Sequence, residues 1–222
     1  MKKAIFFDMN ETLLNLSLLK EQFDHYFDDT FALKYWFTML LHSSTVIGGM
    51  GSYADFGKLS SAALDRLFVE SNKPLTPAIK EEILGAFKRL PAYDDVTAGL
   101  KWLQAQGIRT IAVSNSSLAM TQEQLTNAGI IDLFDAYYSV DSVERYKPFQ
   151  DIYLYVAAQE HLDVKDIAMV ATHDWDLYGA KKAGLSTGYI IRKETIYNPY
   201  YIHADADASN LLELVKTLAT IS

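Results

Sequence analysis

The chain contains no cysteine in its 222 residues, which excludes disulfides, thiolate nucleophiles and cysteine-ligated metals. Proline and glycine are sparse, at five and 11, and neither an internal repeat nor a low-complexity segment interrupts the sequence. Positive charge is also short. Twenty Lys and Arg against 28 Asp and Glu leave a formal charge of −8, which argues against a nucleic-acid partner, whose phosphates require a basic face. No apolar run approaches the roughly 18 residues of a membrane span. The short apolar run after Met1-Lys2-Lys3 is cut by Asp8, so no secretory signal is expected. What the chain does have is apolar mass, at 50% of residues. That fills a core without staples, in one domain or in a core carrying a smaller inserted one. The expectation is a soluble, cytoplasmic protein.

The stretch that organises the rest is Ala4-Ile5-Phe6-Phe7-Asp8-Met9-Asn10-Glu11-Thr12-Leu13-Leu14. Four apolar residues in a row are too few for a helix and read as a strand buried on both faces. Asp8 stands where that strand runs out. In a parallel sheet, ligands bind beyond the carboxyl ends of the strands, so Asp8 is either a reactive group or a cap for the following helix.

Over 15–90 apolar residues recur at helical spacing and strand signals are scarce, which predicts a helical insertion. Thr76 and Pro77 read as the cap and first position of its last helix, and Gly48-Gly49-Met50-Gly51 reads as a loop. From 91 onward the pattern alternates. Helices are predicted over 98–106, 118–127, 150–160, from after Asp176 to Gly184, and over 209–218, and strands over 109–113, 136–140, 167–171 and 187–191. This predicts an α/β fold with a doubly wound parallel sheet and helices on both faces. Residues 1–14 and 91–222 would form the core, and 15–90 a lid over its crevice.

Polar clusters fall at three of the strand ends: Asp8 to Thr12, Ser114-Asn115, and Thr172-His173-Asp174-Trp175-Asp176. A fourth, Arg145-Tyr146-Lys147-Pro148, lies between the second and third. In this order on a βα framework the chain resembles the haloacid dehalogenase superfamily. Its members carry a nucleophilic Asp, a Ser or Thr, a Lys and a final acidic motif. Asp8, Thr12, Ser114, Lys147 and Asp176 fall on those positions. Within the superfamily the resemblance is to the type II (L-2-) haloacid dehalogenases, carried by Lys147-Pro148 with Tyr153 and by Trp175-Asp176 with Gly179-Ala180.

That resemblance implies a Rossmann-like core, a helical cap and an aspartyl-ester mechanism. Asp8 would attack the halogen-bearing carbon of a small 2-haloacid, and water would then cleave the ester. Lys147 would let Asp8 bear its charge, with Asp176 holding the lysine or the water. Thr12, Ser114 and Asn115 would orient the nucleophile and the substrate carboxylate. Ser116 or Ser117 reads as a helix cap beside them. Tyr153 is either a site residue near Lys147 or an ordinary helix-face tyrosine. The family further suggests a homodimer.

Two departures separate the chain from the magnesium-dependent phosphatases of the superfamily. The position two beyond the nucleophile, where those enzymes keep a proton-donating Asp, is Asn10, which is no Brønsted acid. The position four before Asp176 is Thr172, a weak ligand for a hard dication that prefers anionic oxygens. Halide leaves without a proton, so neither metal nor cofactor is expected. Other departures are from the dehalogenases themselves. No arginine occurs in 1–65 to cradle a halide, and near Phe31, where it would fall, stand apolar residues and Lys34. Their last motif has Asn where this chain has His173 and Ser where it has Ala171. His173 could bind halide or substrate, act as a base, or be structural; His42 is a weaker candidate from the insertion. Two alternatives stand beside the dehalogenase. One is a magnesium-dependent phosphatase that draws its acid from His173 or Asp174. The other is a binding protein that kept the pocket and lost turnover.

Overall fold

The computed structural model describes residues 1–221. Strand β1 (Ala4–Phe7) is buried along its whole length. It pairs in parallel with β2 (Arg109–Ser114) on one edge and β4 (Ile167–Ala171) on the other. Two-sided burial is what a short run of Ala, Ile and Phe demands, since it has no polar face to turn to water. The sheet extends through β3 (Ala136–Ser139) beyond β2, and through β5 (Ser186–Ile190) and β6 (Ala206–Ala208) beyond β4. All its pairings are parallel and the order is β3-β2-β1-β4-β5-β6.

The chain steps outward from β1 to β3, then crosses back to β4 on the far side of β1. That reversal opens a crevice at the carboxyl ends of β1 and β4, where open α/β sheets take their ligands. Crossovers between parallel strands are right-handed as a rule, so a reversal of this kind puts helices on both faces of the sheet. Helices α5 (Val96–Ala105) and α9 (Leu211–Thr220) pack together on one face. On the other, α7 (Gln150–Gln159) packs on α8 (Asp174–Lys182), which lies over β4 and β5. Helix α6 (Leu118–Asn127) stands beside β3. The architecture is the doubly wound α/β fold expected from the sequence.

Between β1 and α5 the chain forms four helices and no strand: α1 (Ser17–Tyr26), α2 (Ala32–Gly49), α3 (Phe56–Glu70) and α4 (Pro77–Phe87). Their shared interior is built on Trp36, whose ring lies 5.4 Å from Phe23 and 6.0 Å from Phe87. The indole N–H donates to the Ser60 carbonyl at 3.0 Å, which satisfies the one polar atom that side chain buries. Thr76 accepts the Ile79 N–H and Pro77 opens α4 as expected.

Three expectations need correction. Gly48 and Gly49 are helical, not loop. At Gly48 a Cβ would stand 2.8 Å from the Phe149 ring, so the glycine serves close packing against the core, and only Gly51, at φ +71°, turns the chain. Strand β6 was not foreseen, because Ala-Asp-Ala offers no apolar run to read. Asp8 caps no helix, since α1 starts nine residues later at Ser17. None of the described helices is long and apolar enough to cross a membrane.

Candidate active site

The Asp8 N–H donates to the Val170 carbonyl at 3.0 Å, so the backbone ladder runs one residue beyond β1 and fixes the aspartate at the crevice. The next residues form a tight turn in which Leu13 and Leu14 both donate to the Met9 carbonyl at 2.9 Å. Met9, Leu13 and Leu14 are fully buried and anchor it. The turn carries Thr12 back over Asp8. Its hydroxyl donates to Asp8 Oδ2 at 2.8 Å and accepts the Thr172 N–H at 2.9 Å, joining the β1 and β4 ends.

Lys147 reaches Asp8 from the segment before α7. Its Nζ donates to Asp8 Oδ1 at 3.1 Å and to Asp176 Oδ2 at 2.8 Å, with its side chain fully enclosed. Asp176 sits in the first turn of α8, and the Tyr153 hydroxyl from α7 donates to its Oδ1. Burial works against a charge on Lys147, but Asp176 and Asp8 together raise its pKa above the ordinary lysine value. Burial likewise opposes ionisation of Asp8, yet Lys147, His173 and Thr12 outweigh it and hold the carboxyl well below its usual range. Asp176 is pushed up by its enclosure and by the facing charge of Asp8, although Lys147 works the other way. Burial and Asp176 push the Tyr153 phenol well above its ordinary value, so it serves as a donor.

His173 completes the cluster. Its Nδ1 lies 3.0 Å from Asp8 Oδ2 and its Nε2 3.0 Å from Glu11 Oε2. Burial disfavours the imidazolium, but the two carboxylates prevail and raise its pKa from 6.5 to about 9. Glu11 is held below its ordinary range against burial by His173 and by Lys193, whose Nζ donates to Glu11 Oε1 at 2.9 Å. The ring of His173 stacks on Trp175 at 5.1 Å and lies 6.3 Å from Phe37 of α2.

The remaining expected residues are nearby with different duties. Asn115 Oδ1 accepts the Lys147 N–H at 2.9 Å, tying the end of β2 to the lysine. Ser114 Oγ accepts the Ser116 N–H at 3.0 Å, while Ser117 is the residue that caps α6. The Asn10 amide oxygen accepts from Gln124 Nε2 at 3.1 Å, so part of it is committed to α6. Asp174 is not in the cluster; its oxygens accept the backbone N–H groups of Trp175 and Asn198. His42 is exposed on α2. Phe31 is exposed at the start of α2, and the side chains this helix presents to Asp8 are Phe37 and Leu41.

The cluster does not suit a magnesium ion. Asp8 Oδ1 already receives an ammonium, and its Oδ2 an imidazole and a hydroxyl. Thr172 stands where a second anionic ligand would be needed, and its buried Oγ1 has no hydrogen-bond partner. No group of three or more His, Cys, Asp or Glu suited to a metal occurs among the described residues.

The family pattern of the haloacid dehalogenase-like hydrolases matches residues 2–184. The chain belongs to that family. This hydrolase is 30% identical over 175 residues to (S)-2-haloacid dehalogenase 1 of Pseudomonas sp. (strain CBS-3), covering 78% of this chain and 76% of that protein. It is 26% identical over 222 residues to the (S)-2-haloacid dehalogenase of Pseudomonas sp. (strain YL), covering 98% and 95%. A dehalogenase solved as an intermediate complex superposes with a TM-score of 0.92 at 26% identity, over 99% of this hydrolase and 98% of the other chain.

Sequence reasoning did not single out Glu11, Lys193, Phe37, Leu41, Phe56 or Gln124 of this hydrolase. Glu11 lay inside the polar turn and was legible only as turn chemistry. Its left-handed backbone, at φ +60°, is a property of the fold. The others come from elements distant in sequence, and nothing in their local pattern marks them.

Proposed function

We propose that this hydrolase cleaves the carbon–halogen bond of a small 2-haloacid through an ester on Asp8. The observation that carries the reading is an ionised, largely enclosed carboxylate beside two cations, with an amide, not an acid, two residues on. Asp8 attacks the halogen-bearing carbon, the halide leaves as an anion, and water attacks the ester carbonyl to release a 2-hydroxyacid. Lys147, held by Asp176 and Tyr153, keeps Asp8 charged before attack and stabilises the charge that returns on hydrolysis. Thr12 fixes the carboxylate plane. Asn10, Phe37, Leu41, Phe56, Asn115, His173 and Trp175 enclose the space beside Asp8, whose apolar walls suit a small carbon skeleton and whose amides and imidazole suit a carboxylate or halide. The names of the two Pseudomonas relatives, both (S)-2-haloacid dehalogenases, point the same way.

In this reading 15–90 is a helical cap over a core of 1–14 and 91–222. A phosphatase would need a proton for its alkoxide and a metal for its phosphate, and Asn10 and Thr172 offer neither.

The test is halide release from chloroacetate and 2-chloropropionate, with an aryl phosphate alongside, in chelator and in Mg²⁺. The expected outcome is halide release indifferent to chelator and abolished by Asp8→Asn. A single turnover in ¹⁸O-water should place label in Asp8. Phosphate release that depends on Mg²⁺, without halide release, would overturn the reading.

A further inference from the structure

The scheme above leaves the water unassisted, and it leaves one well-held group idle. Asp8, His173, Glu11 and Lys193 form a chain of contacts of 3.0, 3.0 and 2.9 Å. Its middle member is an imidazole clamped between two carboxylates and stacked on Trp175. Glu11 occupies a left-handed conformation, at φ +60°, that non-glycine residues rarely hold without an offsetting contact. Its two oxygens go to His173 and Lys193. A carboxylate that holds the far nitrogen of an imidazole sets the ring's orientation and steadies its charge, as in other carboxylate–histidine pairs.

Position distinguishes His173 from its neighbours. The space beside Asp8 has a volume of only about 10 Å³, no more than one water needs. On the other side of His173 lies a cleft of about 500 Å³, lined also by Lys20, Lys34 and Lys193. His173 therefore touches the reacting carboxylate and a solvent reservoir together. The other groups at Asp8 are poor candidates for taking a proton. Lys147 is an ammonium with a raised pKa. Asp176 is fully enclosed, with one oxygen receiving Lys147 and the other Tyr153. Asn10 is an amide.

We propose that His173, oriented by Glu11, is the general base that activates water for breakdown of the Asp8 ester. The proposal rests on the dehalogenase reading. The resting pair is Asp8 carboxylate and His173 imidazolium. Attack forms the Asp8 oxygen–carbon bond, breaks the carbon–halogen bond and releases the halide with the bonding electrons. The ester no longer carries the charge that held the proton on His173, so the imidazolium gives it up through the cleft. Neutral His173 then takes a proton from water as the hydroxyl adds to the ester carbonyl. On collapse the proton of the added hydroxyl passes to the departing alkoxide oxygen, which releases the hydroxyacid and leaves Asp8 as carboxylate and His173 as imidazolium. The balance is haloacid plus water to hydroxyacid, halide and one proton.

The charged groups around His173 are Asp8 and Glu11 from the turn after β1, and Lys193, through Glu11, from the segment after β5. Lys147 acts through Asp8, and Lys20 of α1 and Lys34 of α2 face the shared cleft. In the resting state the two carboxylates set its pKa at about 9. In the ester only Glu11 remains in contact, so His173 gives up its proton more readily than in the resting state.

The experiment is rapid-quench turnover of 2-chloropropionate by wild type, His173→Gln and Glu11→Gln, followed by halide release and intact-protein mass. His173→Gln should release one equivalent of halide in a burst and accumulate the covalent adduct. Its steady turnover should fall by about 100-fold or more. In wild type, ester breakdown should rise with pH through a single ionisation below 9, absent in His173→Gln. Glu11→Gln should move that midpoint to lower pH and slow turnover about tenfold. Unchanged turnover in His173→Gln, equal loss of burst and turnover, or an unmoved midpoint in Glu11→Gln would each overturn the proposal. Wild type that releases no halide would remove the dehalogenase reading and this proposal with it, whereas wild-type release with any of those three outcomes removes the proposal alone.

Discussion

Asp8 bears its charge at 8% exposure, a situation that costs several kcal/mol unless cations and donors surround it. Lys147, His173 and Thr12 meet that need, and the same contacts make stability depend on pH. His173 has its pKa raised from 6.5 to about 9 in the folded protein. The stabilisation it contributes is thus fully present below 6.5 and is lost as pH rises through about 9. Such a shift corresponds to about 3 kcal/mol, or roughly 8 °C in Tm for a chain of this size. Wild-type Tm should fall by that order between pH 6.5 and pH 9.5 in thermal scans, and His173→Gln should fall much less. Asp8 works in the opposite direction. Its pKa is depressed, so its stabilisation is present above 3.8 and is lost as pH drops below that value. Tyr153 presents a further residue-scale outcome. Its hydroxyl satisfies Asp176 in a fully buried position, so Tyr153→Phe should cost about 1–3 kcal/mol in urea denaturation. Halide release should slow about tenfold, because Lys147 loses its steadied partner.

Two devices at the level of elements hold the site in place. Arg192, just after β5, donates through Nε to the Thr12 carbonyl at 2.9 Å. Its Nη1 lies 2.9 Å from both Asp95 oxygens, and the guanidinium lies 4.2 Å over the Tyr93 ring. Asp95 also accepts the Leu211 N–H at the start of α9. The turn after Asp8, the start of α5 and the start of α9 are thus fastened by one nearly buried ion pair. Arg192→Ala should destabilise by about 3 kcal/mol, read as a lower urea midpoint, and should reduce turnover through a loosened Thr12. The second device is Gly179 in α8. A Cβ there would lie 2.2 Å from the Pro148 carbonyl oxygen, so only glycine lets α8 lie directly against the Lys147-Pro148 segment. Gly179→Ala should push that segment away and cost both stability and activity, which separates it from an ordinary helix-interior Gly→Ala change that stabilises.

The whole molecule is closed. The four inserted helices meet the core where the Tyr146 hydroxyl donates to the Ala54 carbonyl and the Tyr53 hydroxyl to Asp141. They meet it again where Gln124 donates to the Phe87 carbonyl at 2.8 Å. Their two connections to the core run side by side, with Asn15 donating to the Pro91 carbonyl at 2.7 Å and Tyr93 to the Leu13 carbonyl at 2.9 Å. The space beside Asp8 is only about 10 Å³, so the cap reading predicts that a haloacid enters as the insertion lifts about those paired connections. Removing both tyrosine hydroxyls, as Tyr53→Phe with Tyr146→Phe, should favour the open form by about 1–3 kcal/mol. Stopped-flow substrate binding should then be faster, and KM should rise at least several-fold through the lost closure.

How much of this could be read beforehand follows from the range of each interaction. A two-faced apolar strand, helix spacing through 15–90 and the alternation from 91 onward are local patterns, so the fold and the insertion were legible residue by residue. Asp8 was legible from the strand it follows, whereas Thr12, Lys147 and Asp176 were marked by the order of motifs in the family resemblance, and the geometry brings the four together. Gly48 and β6 were misread because a close approach to Phe149 and a pairing with β5 leave no mark in neighbouring residues. The sequence by itself thus determined five of the six strands and the helical character of 15–90. Only the tertiary structure decided that Glu11 and Lys193 reach His173, that Phe37 closes over it, and that Asn10 turns toward Gln124. Those contacts join residues far apart in the chain, and a contact between distant residues is fixed by packing, not by local pattern.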